Sequence, residues 1–541
     1  MNPFVGKTHH QSLAYLAETF AKRDALVFRE QRFSFEDVRQ LVDAASARLA
    51  GLALPTGATV AIWMSNRPEF LWYLLGAAQM GLVAVVLNTR LRQDEVRYQI
   101  GQSDSRALLV PGQGAYRDFL GELAAICPSI RTDQAGALTC TEFPMLRHVL
   151  CVDRAPGGFA GVTDWSAPLV TTTRPPPPAT DASQPSLVLY TSGTTSLPKG
   201  VMLNHCLWRK GFDAGMRLGL TQDDRLYTCV PLFGMAGLLA GGPLSAWPHG
   251  AAVVLEERFD AGSCLEVLEA ERCTVFQMMP TMLDSLLDHT SFETTDRSRW
   301  RTAMVLTSAP LILRRAVEDL GFRFIVCGYG MTESTALVTR TSWDQSLDVQ
   351  IGSNGTPLPG CSIKIVDTAS GEELPAGERG EILIGGYCLM CGYYRKPEET
   401  AKAFTADGWL RTGDAGVLRS DGTLQFLGRL RDGYKHNGFN VSTLEVEAVV
   451  RQHPAVADTA VVGIPDARTG EIGIAFVVDR PGHSIDEPEL LDYLRPRLAS
   501  FKLPAHVIKV QGLPRTAGTD KVQAFRLREM ASSHLKDRYD A

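Results

Sequence analysis

Several patterns that define other protein classes are missing from this chain of 541 residues. No apolar run reaches the roughly 18 residues that a membrane-spanning helix needs, so no membrane span is predicted. The amino terminus, Met1 to Lys7, lacks the charged-then-apolar pattern of a secretory signal. The last residues, Lys536 to Ala541, carry no recognisable targeting tag. These absences predict a cytoplasmic protein.

Metal-ligand and disulfide patterns are missing as well. The histidines form no H-x-x-x-H or H-E-x-x-H arrangement, and the adjacent pair His9 and His10 is predicted to face solvent. The 11 cysteines are scattered and odd in number, which argues against a disulfide framework. Cys388 and Cys391 form one C-x-x-C without a second pair at zinc spacing, so we interpret them as buried or loop thiols.

An excess of positive charge is also missing. The formal net charge of −6 argues against a nucleic-acid partner, because such proteins usually carry a basic face. A hydrophobic fraction of 45% with 21% charged residues is typical of a globular protein with a large core. The length predicts two to four domains, and no internal repeat is evident.

What is present is an alternation of strand-like and helix-like patterns, which predicts an α/β fold. Residues 12–110 and 187–335 show the β-then-α units of parallel sheets with helices on their faces. Residues 350–428 show short strands with glycine turns, as in a small β-barrel or sheet. The predicted organisation is a large amino-terminal part of stacked αβ sheets plus a small β-barrel over residues 1–428, a hinge over 429–433, and a small mobile α+β domain over 434–541.

The most informative stretch follows a predicted buried strand, Leu187–Tyr190. It is a run of small polar residues, Thr191, Ser192, Gly193, Thr194, Thr195 and Ser196, and it is followed by Leu197, Pro198, Lys199 and Gly200. Hydroxyl groups and free backbone N–H groups suit a loop that wraps phosphates, and Lys199 adds a compact positive charge. A Walker A loop is excluded, because Pro198 stands at its second glycine position and Gly200 at its Mg²⁺-binding hydroxyl position.

Two further motifs are suited to a nucleotide. The first, Gly328 to Glu333, follows the predicted strand Phe324–Val326, and its flanking glycines let the ring of Tyr329 lie against a flat base. Thr332 can bond a phosphate oxygen and Glu333 can hold Mg²⁺, although a helix-capping Thr332 on a plain turn is the structural alternative. The second motif ends in Asp414 on a glycine turn, where a carboxylate can accept hydrogen bonds from ribose hydroxyls.

These motifs, in their order and spacing, resemble those of the adenylate-forming (ANL) superfamily, in its acyl-CoA synthetase or fatty-acid–CoA ligase branch. The resemblance covers about residues 30–530. Three positions depart from the family pattern: Ser196 replaces a usual glycine, Thr443 replaces a usual proline, and the loop before Lys521 is one residue longer.

The resemblance implies ATP, Mg²⁺ and coenzyme A as cofactors or co-substrate, and it assigns residues of this chain to them. The implied catalytic residues are Lys521, Thr332, Glu333 and Lys199, with Mg²⁺ near Glu333 and Thr191. The implied cofactor-binding residues are Thr191, Ser192, Gly193, Thr194, Thr195, Ser308, Ala309, Pro310, Tyr329, Gly330, Asp414, Arg429, Lys435 and Gly438. The implied acyl-pocket residues are Phe233, Gly234, Met235, Met278 and Met331, and the implied hinge is Arg431. In this family the carboxy-terminal domain rotates between adenylation, which uses Lys521, and thioester formation, which uses Lys435 to Gly438.

The expected activity is therefore that of an ATP-dependent acyl-CoA ligase acting on a hydrophobic carboxylic acid, medium- or long-chain aliphatic ahead of aromatic. An acyl-AMP ligase that loads a separate carrier protein remains the main alternative, with an aryl-acid or amino-acid adenylating enzyme behind it. A luciferase-like oxygenase is not favoured by the motifs. A non-catalytic binding homologue is disfavoured because Lys199, Glu333, Asp414, Arg429 and Lys521 are all present. An amino-acid adenylating enzyme is disfavoured, because Gly234 stands where those enzymes usually have Asp. The resemblance suggests a homodimer.

Overall fold

The computed structural model describes residues 1–112, 115–169, 181–191, 197–307, 310–368, 370–430, 433–514 and 522–539. The chain forms two compact units, which are described separately. The larger unit comprises Met1–Thr89, Arg97–Tyr190 and Gly200–Leu427, and the smaller comprises Arg90–Val96, Thr191–Lys199 and Gly428–Ala541. Within the described ranges, no helix is long and apolar enough to cross a membrane.

The helices are short, and several begin at a capping side chain or at proline, as Ser34 before Phe35 and Pro68 illustrate. In chain order they are α1 (His9–Phe20), α2 (Phe35–Ala50), α3 (Pro68–Gln79), α4 (Gln93–Gln102), α5 (Phe119–Ile126), α6 (Leu207–Arg217), α7 (Pro243–Ala246), α8 (Ala261–Ala270), α9 (Pro280–Leu287), α10 (Pro310–Glu318), α11 (Leu347–Gly352), α12 (Pro397–Ala403), α13 (Thr443–Val450), α14 (Glu487–Leu494) and α15 (Ala524–Tyr539).

The strands alternate with these helices over the first half of the chain and then follow one another directly. In chain order they are β1 (Asp24–Phe28), β2 (Gln31–Ser34), β3 (Thr59–Ile62), β4 (Val83–Val86), β5 (Ala107–Val110), β6 (His148–Cys151), β7 (Val162–Asp164), β8 (Leu187–Thr191), β9 (Lys199–Leu203), β10 (Arg225–Thr228), β11 (Ala252–Leu255), β12 (Val275–Met278), β13 (Thr302–Val305), β14 (Phe324–Val326), β15 (Gly328–Met331), β16 (Ala336–Arg340), β17 (Thr356–Pro357), β18 (Cys361–Val366), β19 (Arg379–Gly386), β20 (Gly392–Tyr393), β21 (Leu410–Leu418), β22 (Leu424–Arg429), β23 (Gly433–His436), β24 (Phe439–Ser442), β25 (Val456–Asp466), β26 (Gly470–Asp479) and β27 (His506–Lys509).

Two largely parallel sheets form the core of the larger unit. In the described residues one has the order β14-β13-β12-β10-β11-β1-β2, and the other has the order β20-β9-β8-β4-β3-β5-β6-β7. Their central strands, such as Val83–Val86 and Ala252–Leu255, are buried along their whole length. Continuous burial of this kind is expected where helices cover both faces of a parallel sheet. The α/β class predicted from the sequence is confirmed.

The strands predicted to form a small β-barrel form an antiparallel sheet with the order β18-β19-β21-β22. A separate small sheet joins β15, β16 and β17. In the smaller unit, β25 and β26 pair antiparallel, and β27 adds to β26 in parallel. Apolar side chains of this sheet, including Ile464, Ile474 and Phe476, pack against Leu527 of α15. The predicted α+β pattern is thus present in this unit.

The prediction that His9 faces solvent is wrong. Its ring is buried, Trp208 Nε1 donates to His9 Nδ1 at 2.6 Å, and His9 Nε2 lies 3.0 Å from Ser186 Oγ. The backbone N–H of His9 donates to His205 Nδ1 at 3.1 Å. The reason is the position of His9 as the first residue of α1, whose amino-terminal end packs into the larger unit.

Candidate nucleotide and acyl site

The predicted pocket and nucleotide residues of the larger unit meet at one edge of the first parallel sheet. Phe233 and Gly234 follow β10, Met278 ends β12, Pro310 follows β13, and Tyr329 follows β14. The strand order reverses at β10, because the chain continues to β11 on one side and to β12, β13 and β14 on the other. Crevices at the carboxyl ends of strands beside such a reversal are the usual ligand sites of open α/β sheets.

Apolar side chains dominate the segment after β10. Phe233 and Met235 are buried, and Met278 of the neighbouring strand is fully buried. The chain then forms a π-helical turn, Ala236–Ala240, a rare element that is frequent at functional sites. A Cβ atom added to Gly234 would meet only Pro231 O, at 3.8 Å, so this position leaves space for a ligand or a side chain.

A buried polar residue that the sequence analysis did not single out fixes this turn. Gln277 of β12 donates from Nε2 to Ala236 O at 2.7 Å, and its Oε1 accepts from Thr228 Oγ1 at 2.8 Å. The bond to Thr228 is buried, and the bond to Ala236 is partly buried. Gln277 therefore links β10, β12 and the π-helical turn, and a buried Gln inside an otherwise apolar strand was the available signal.

The hairpin of β15 and β16 explains the two glycines around Tyr329. A Cβ atom at Gly330 would lie 1.8 Å from Ala336 O, and one at Gly328 would lie 2.5 Å from Thr339 O. The pairing register shifts between Tyr329 and Gly330, which is a local bulge. Glycine is thus required for backbone approach at both positions. Met331, the last residue of β15, is half-buried.

The hairpin directs the side chain of Tyr329 towards Asp414, although the two lie 85 positions apart in the chain. Tyr329 OH donates to Asp414 Oδ2 at 2.7 Å, and the Tyr329 ring stacks on Phe426 with centroids 5.4 Å apart. Asp414 is only 4% exposed. Its backbone N–H donates to Thr412 Oγ1 at 3.0 Å, and Thr412 in turn donates to Ile382 O at 2.6 Å. Tyr329 thus contacts the buried carboxylate directly, and the bond to Thr412 fixes the Asp414 backbone that carries it.

Glu333 occupies the 3-10 turn Thr332–Ser334 directly after this hairpin. It is buried, and Tyr393 OH donates to Glu333 Oε1 at 3.1 Å. The backbone of Met390 also donates to Glu333 O at 2.8 Å. Tyr393 was not identified from the sequence, since nothing local marks a tyrosine as the partner of a carboxylate 60 positions earlier. In the described residues, no group of three or more His, Cys, Asp or Glu residues could hold a metal ion.

The ends of the predicted phosphate loop are described, and its middle is not. Thr191 ends β8, and Lys199 begins β9 and is buried. A Cβ atom at Gly200 would lie 2.9 Å from Val188 Cγ1, so packing between the two strands requires glycine there. Predicted site residues that lie outside the described residues are Ser192, Gly193, Thr194, Thr195, Ser308, Ala309, Arg431 and Lys521. Arg429 ends β22, and its side chain is likewise outside the description.

The predicted CoA-binding residues Lys435 and Gly438 belong to a tight hairpin in the smaller unit. Asn437 and Gly438 connect β23 and β24 with φ values of 49° and 78°, as a two-residue type I′ turn requires. Lys435 is exposed, and its backbone N–H donates to Glu471 Oε2 at 2.5 Å. The next residue, His436, bonds through Nδ1 to Glu471 O at 2.8 Å.

The buried ring of Tyr434 seats this hairpin on the sheet. It lies over Gly463 and Gly473, which are directly paired between β25 and β26. A Cβ atom at Gly463 would lie 2.0 Å from Tyr434 Cβ, and one at Gly473 would lie 2.1 Å from its hydroxyl oxygen. The two glycines together form a flat surface that only a strand pair without side chains can offer.

Comparison with known proteins agrees with this geometry. The AMP-binding enzyme family model matches residues 13–394, and the model of the AMP-binding enzyme C-terminal domain matches residues 445–518. The chain belongs to the AMP-binding enzyme family. The ANL resemblance stated from the motifs is thereby confirmed.

Relatives within the AMP-binding family match over nearly the whole chain. One is the 3-[(3aS,4S,7aS)-7a-methyl-1,5-dioxo-octahydro-1H-inden-4-yl]propanoyl:CoA ligase of Mycobacterium tuberculosis, 33% identical over 97% of this chain and 99% of the relative. Another is the mitochondrial medium-chain acyl-CoA ligase ACSF2 of Rattus norvegicus, 28% identical over 98% of this chain and 89% of the relative.

A solved structure extends the likeness to the fold. It is a double mutant of the o-succinylbenzoate CoA synthetase MenE of Bacillus subtilis, bound with its product analogue OSB-NCoA. It is 28% identical, covers 97% of this chain and 98% of its own, and has a TM-score of 0.80. The predicted class, an AMP-forming acid–thiol ligase, is confirmed by these relatives.

Proposed function

We propose that this protein is an ATP-dependent acyl-CoA ligase that activates a hydrophobic monocarboxylic acid as its acyl-adenylate and transfers the acyl group to CoA. The observation that carries the nucleotide part is the buried Tyr329–Asp414 pair, with its 2.7 Å hydrogen bond, beside the carboxyl edge of a parallel sheet. The reaction class follows from membership of the AMP-binding enzyme family.

In the proposed complex, Asp414 accepts hydrogen bonds from the ribose hydroxyls, and Arg429 contributes to the same sugar. Asp414 is suited to this role because Tyr329 bonds its carboxylate, and Thr412 its backbone N–H, before the nucleotide arrives. Such preorganisation reduces the entropy that binding must overcome. We assign the ring of Tyr329, which stacks on Phe426, to the adenine side. Ser308, Ala309 and Pro310 are assigned to the adenine on the resemblance alone.

In the first step, an oxygen of the substrate carboxylate attacks the α-phosphorus of ATP in line, and pyrophosphate leaves. The carboxylate needs no general base, because it is already ionised at neutral pH. The main requirement of this step is that negative charge on the crowded phosphate is stabilised. Preorganised hydrogen-bond donors and cations provide this stabilisation. We assign this role to the hydroxyl groups of Thr191, Ser192, Thr194 and Thr195, to Lys199 and to Lys521, with Thr332 on a phosphate oxygen.

The residues around Glu333 fit a magnesium ion of the kind that accompanies nucleotides. This ion usually takes one or two carboxylates and completes its coordination with phosphate oxygens and water, and Glu333 provides one oriented carboxylate. Bound there with Thr191 nearby, Mg²⁺ would neutralise phosphate charge. Tyr393 keeps the Glu333 side chain in place.

In the second step, the thiol sulfur of CoA attacks the acyl carbonyl carbon of the adenylate, AMP leaves, and a thioester forms. We assign the hairpin from Lys435 to Gly438 to this step. Its exposed lysine and its type I′ turn offer a cation and an accessible backbone to the pantetheine and phosphate groups of CoA. Arg431 is the proposed hinge between the two steps.

The acyl class is inferred from the pocket residues and the relatives. Phe233, Met235, Met278 and Met331 are apolar, and Gly234 leaves space beside them. The relatives named above act on a medium-chain acid and on a propanoate that carries a fused two-ring group. A bulky or medium-chain hydrophobic acid therefore suits this pocket better than a short or dicarboxylic one.

The deciding experiment measures pyrophosphate release with ATP, Mg²⁺ and a panel of aliphatic, aromatic and fused-ring carboxylates, with and without CoA. Conversion of the acid to its CoA thioester is the expected result. Acyl-adenylate that accumulates despite CoA would instead assign the protein to carrier-protein loading. Absence of turnover across the panel would contradict the proposed ligase.

The variant Lys521→Ala tests the assignment of Lys521 to adenylation and not to thioester formation. This variant should lose most adenylation activity while still forming thioester from supplied acyl-adenylate and CoA. Lys509→Ala is the matched control, since Lys509 is a lysine of the smaller unit that pairs with Asp479 at 2.8 Å on the surface. Equal loss of both half-reactions in Lys521→Ala would refute the assignment.

We also infer a cytoplasmic location and a homodimer, as the sequence analysis expects. Both are separate from the catalytic assignment. Fractionation of the source cells and light scattering of the purified protein would check them.

A further inference from the structure

A buried cluster of thiols and one lysine lies in the larger unit apart from the residues assigned to the reaction. Lys210 of α6 is fully buried, and its Nζ lies 2.9 Å from Cys361 Sγ at the start of β18. Cys388, also fully buried, follows the end of β19, and its thiol interacts electrostatically with that of Cys361. The described cysteines are all free thiols.

The backbone brings the two sulfurs together. Cys361 pairs with Gly386 in the antiparallel ladder of β18 and β19, and Cys388 stands two residues beyond Gly386. Gly386 has φ of 111°, and a Cβ atom there would lie 2.3 Å from Gly360 O and 3.1 Å from Cys361 Cα. The two segments thus approach as closely as glycine allows, which places Cys388 beside the strand that carries Cys361.

The lysine has no carboxylate at ion-pair distance among the described residues. The hydrogen bond of Lys210 goes to Cys361 Sγ. The nearby Asp213 is engaged elsewhere, since it accepts from Asn2 Nδ2 at 3.0 Å and from Tyr387 OH at 3.3 Å. Asp213 interacts with Lys210 electrostatically at longer range, and the Tyr387 ring centroid lies 5.7 Å from its Nζ. The Cys361 sulfur is in direct contact with the buried ammonium, where a thiolate would offset its charge at close range.

The two cysteines consequently differ in reactivity. The interaction with Cys388 and the charge of Lys210 lower the pKa of Cys361, whereas the interaction with Cys361 and burial raise the pKa of Cys388. A thiolate is the reactive form towards oxidants, and a protonated neighbour in contact can resolve the oxidised sulfur. Cys361 is buried, with 7% of the residue exposed.

We propose that Cys361 and Cys388 form a peroxide-sensitive dithiol, in which Lys210 holds Cys361 as the reactive thiolate and oxidation joins the two sulfurs as a disulfide. The Cys361 thiolate attacks one oxygen of hydrogen peroxide, the O–O bond breaks, and the departing hydroxide takes up a proton to become water. The Cys361 sulfenic acid is then attacked by the Cys388 sulfur, which loses its proton, and a second water leaves. The thiol pair is oxidised by two electrons, and the peroxide is reduced.

The test uses the full-length protein treated with hydrogen peroxide, alkylated and digested with trypsin. The expected product links the peptide Thr341–Lys364 to the peptide Gly380–Arg395, with the loss of two hydrogens. Fragmentation must place the link on Cys388, because the second peptide also contains Cys391. The variant Cys391→Ser is the matched control, since Cys391 is exposed on the same segment and should be dispensable.

Two variants probe the chemistry. Cys388→Ser should abolish the link and leave a Cys361 sulfenic acid that a dimedone probe traps. Lys210→Met, which keeps the length of the side chain without its charge, should slow oxidation by about tenfold or more, because an ordinary thiol is only a few per cent ionised at pH 7. Circular dichroism and melting temperature establish that each variant is folded.

The opposing outcomes are equally concrete. Three results would each overturn the proposal: a link that forms through Cys391, a Cys361 that stays reduced while Cys391 reacts, or a covalent N–O–S bridge from Lys210 to Cys361, which adds one oxygen and removes two hydrogens. An unchanged rate in folded Lys210→Met would overturn the role of the lysine.

Discussion

The hydrogen bond from Tyr329 to Asp414 yields the sharpest prediction, because Tyr329→Phe removes one oxygen atom and leaves the ring stack on Phe426 intact. The bond is buried and its acceptor is a carboxylate, and bonds to charged groups contribute about 1.5–3 kcal/mol. Without it, Asp414 can rotate away from the ribose. We therefore expect the KM for ATP to rise roughly 10- to 150-fold, since about 1.4 kcal/mol is tenfold.

The assay is a double-mutant cycle with Tyr329→Phe, Asp414→Asn and both together, read out as AMP affinity by calorimetry and as KM for ATP by pyrophosphate release. If the tyrosine acts through the aspartate, the combined variant should bind hardly worse than Asp414→Asn alone. The control is Tyr387→Phe, which removes a tyrosine–aspartate bond of 3.3 Å to Asp213 elsewhere in the unit and should leave ATP binding unchanged.

Two results would refute the reasoning. Additive effects of Tyr329→Phe and Asp414→Asn, to within about 0.5 kcal/mol, would mean that the two residues do not act together. A Tyr329→Phe variant with a lower melting temperature but an unchanged KM for ATP would mean that the bond serves the fold and not the nucleotide.

Three further predictions concern the glycines and the buried histidines. Gly330→Ala should abolish nucleotide binding, because its Cβ atom would lie 1.8 Å from Ala336 O. Gly352→Ala, whose Cβ atom would have no neighbour within 4 Å, should bind AMP normally. Equal AMP affinities of the two variants by calorimetry would contradict this prediction. Gly473→Ala should destabilise the smaller unit by about 1–3 kcal/mol through overpacking against Tyr434. The control is Gly512→Ala, whose Cβ atom would meet no neighbour within 4 Å and which should unfold in denaturant like the unmodified full-length protein. Identical unfolding curves of Gly473→Ala and Gly512→Ala would refute the packing role. Burial lowers the pKa of His205 from 6.5 to about 4, so its share of the free energy of unfolding is complete above pH 6.5 and is lost as pH falls towards 4. This share is about 3 kcal/mol. Between pH 7 and 4, His205→Asn should therefore lose less free energy of unfolding than the unmodified protein. An equal loss in both proteins would count against this role of His205.

Local signals predicted the elements that carry the site. A run of four apolar residues before a polar loop predicts β8, and the structure has Leu187–Thr191 there. The strand Phe324–Val326 is present with the predicted bounds. The pair Asn437 and Gly438 forms the tight turn that its residue types favour. These features depend on neighbours within a few residues, so one sequence suffices to find them.

Contacts between distant positions could not be predicted in this way. Nothing near Glu333 indicates that Tyr393 would hold its carboxylate, and nothing near His9 indicates that Trp208 and Ser186 would enclose it. The glycines of Gly328 to Gly330 were interpreted as space for a base, and the structure adds a backbone reason, the close approach of β16. Such pairs depend on how β-strands and helices assemble, which periodicity does not encode.

The seating of Tyr434 on paired glycines makes the Lys435–Gly438 hairpin part of the β25–β26 sheet and not an independently moving loop. The hairpin cannot tilt or slide unless the tyrosine ring leaves its glycine surface. Any motion that brings the hairpin to a ligand must therefore move the whole β25–β26 sheet with it. The hairpin reaches its ligand already in shape, and little conformational entropy remains to be lost at its tip.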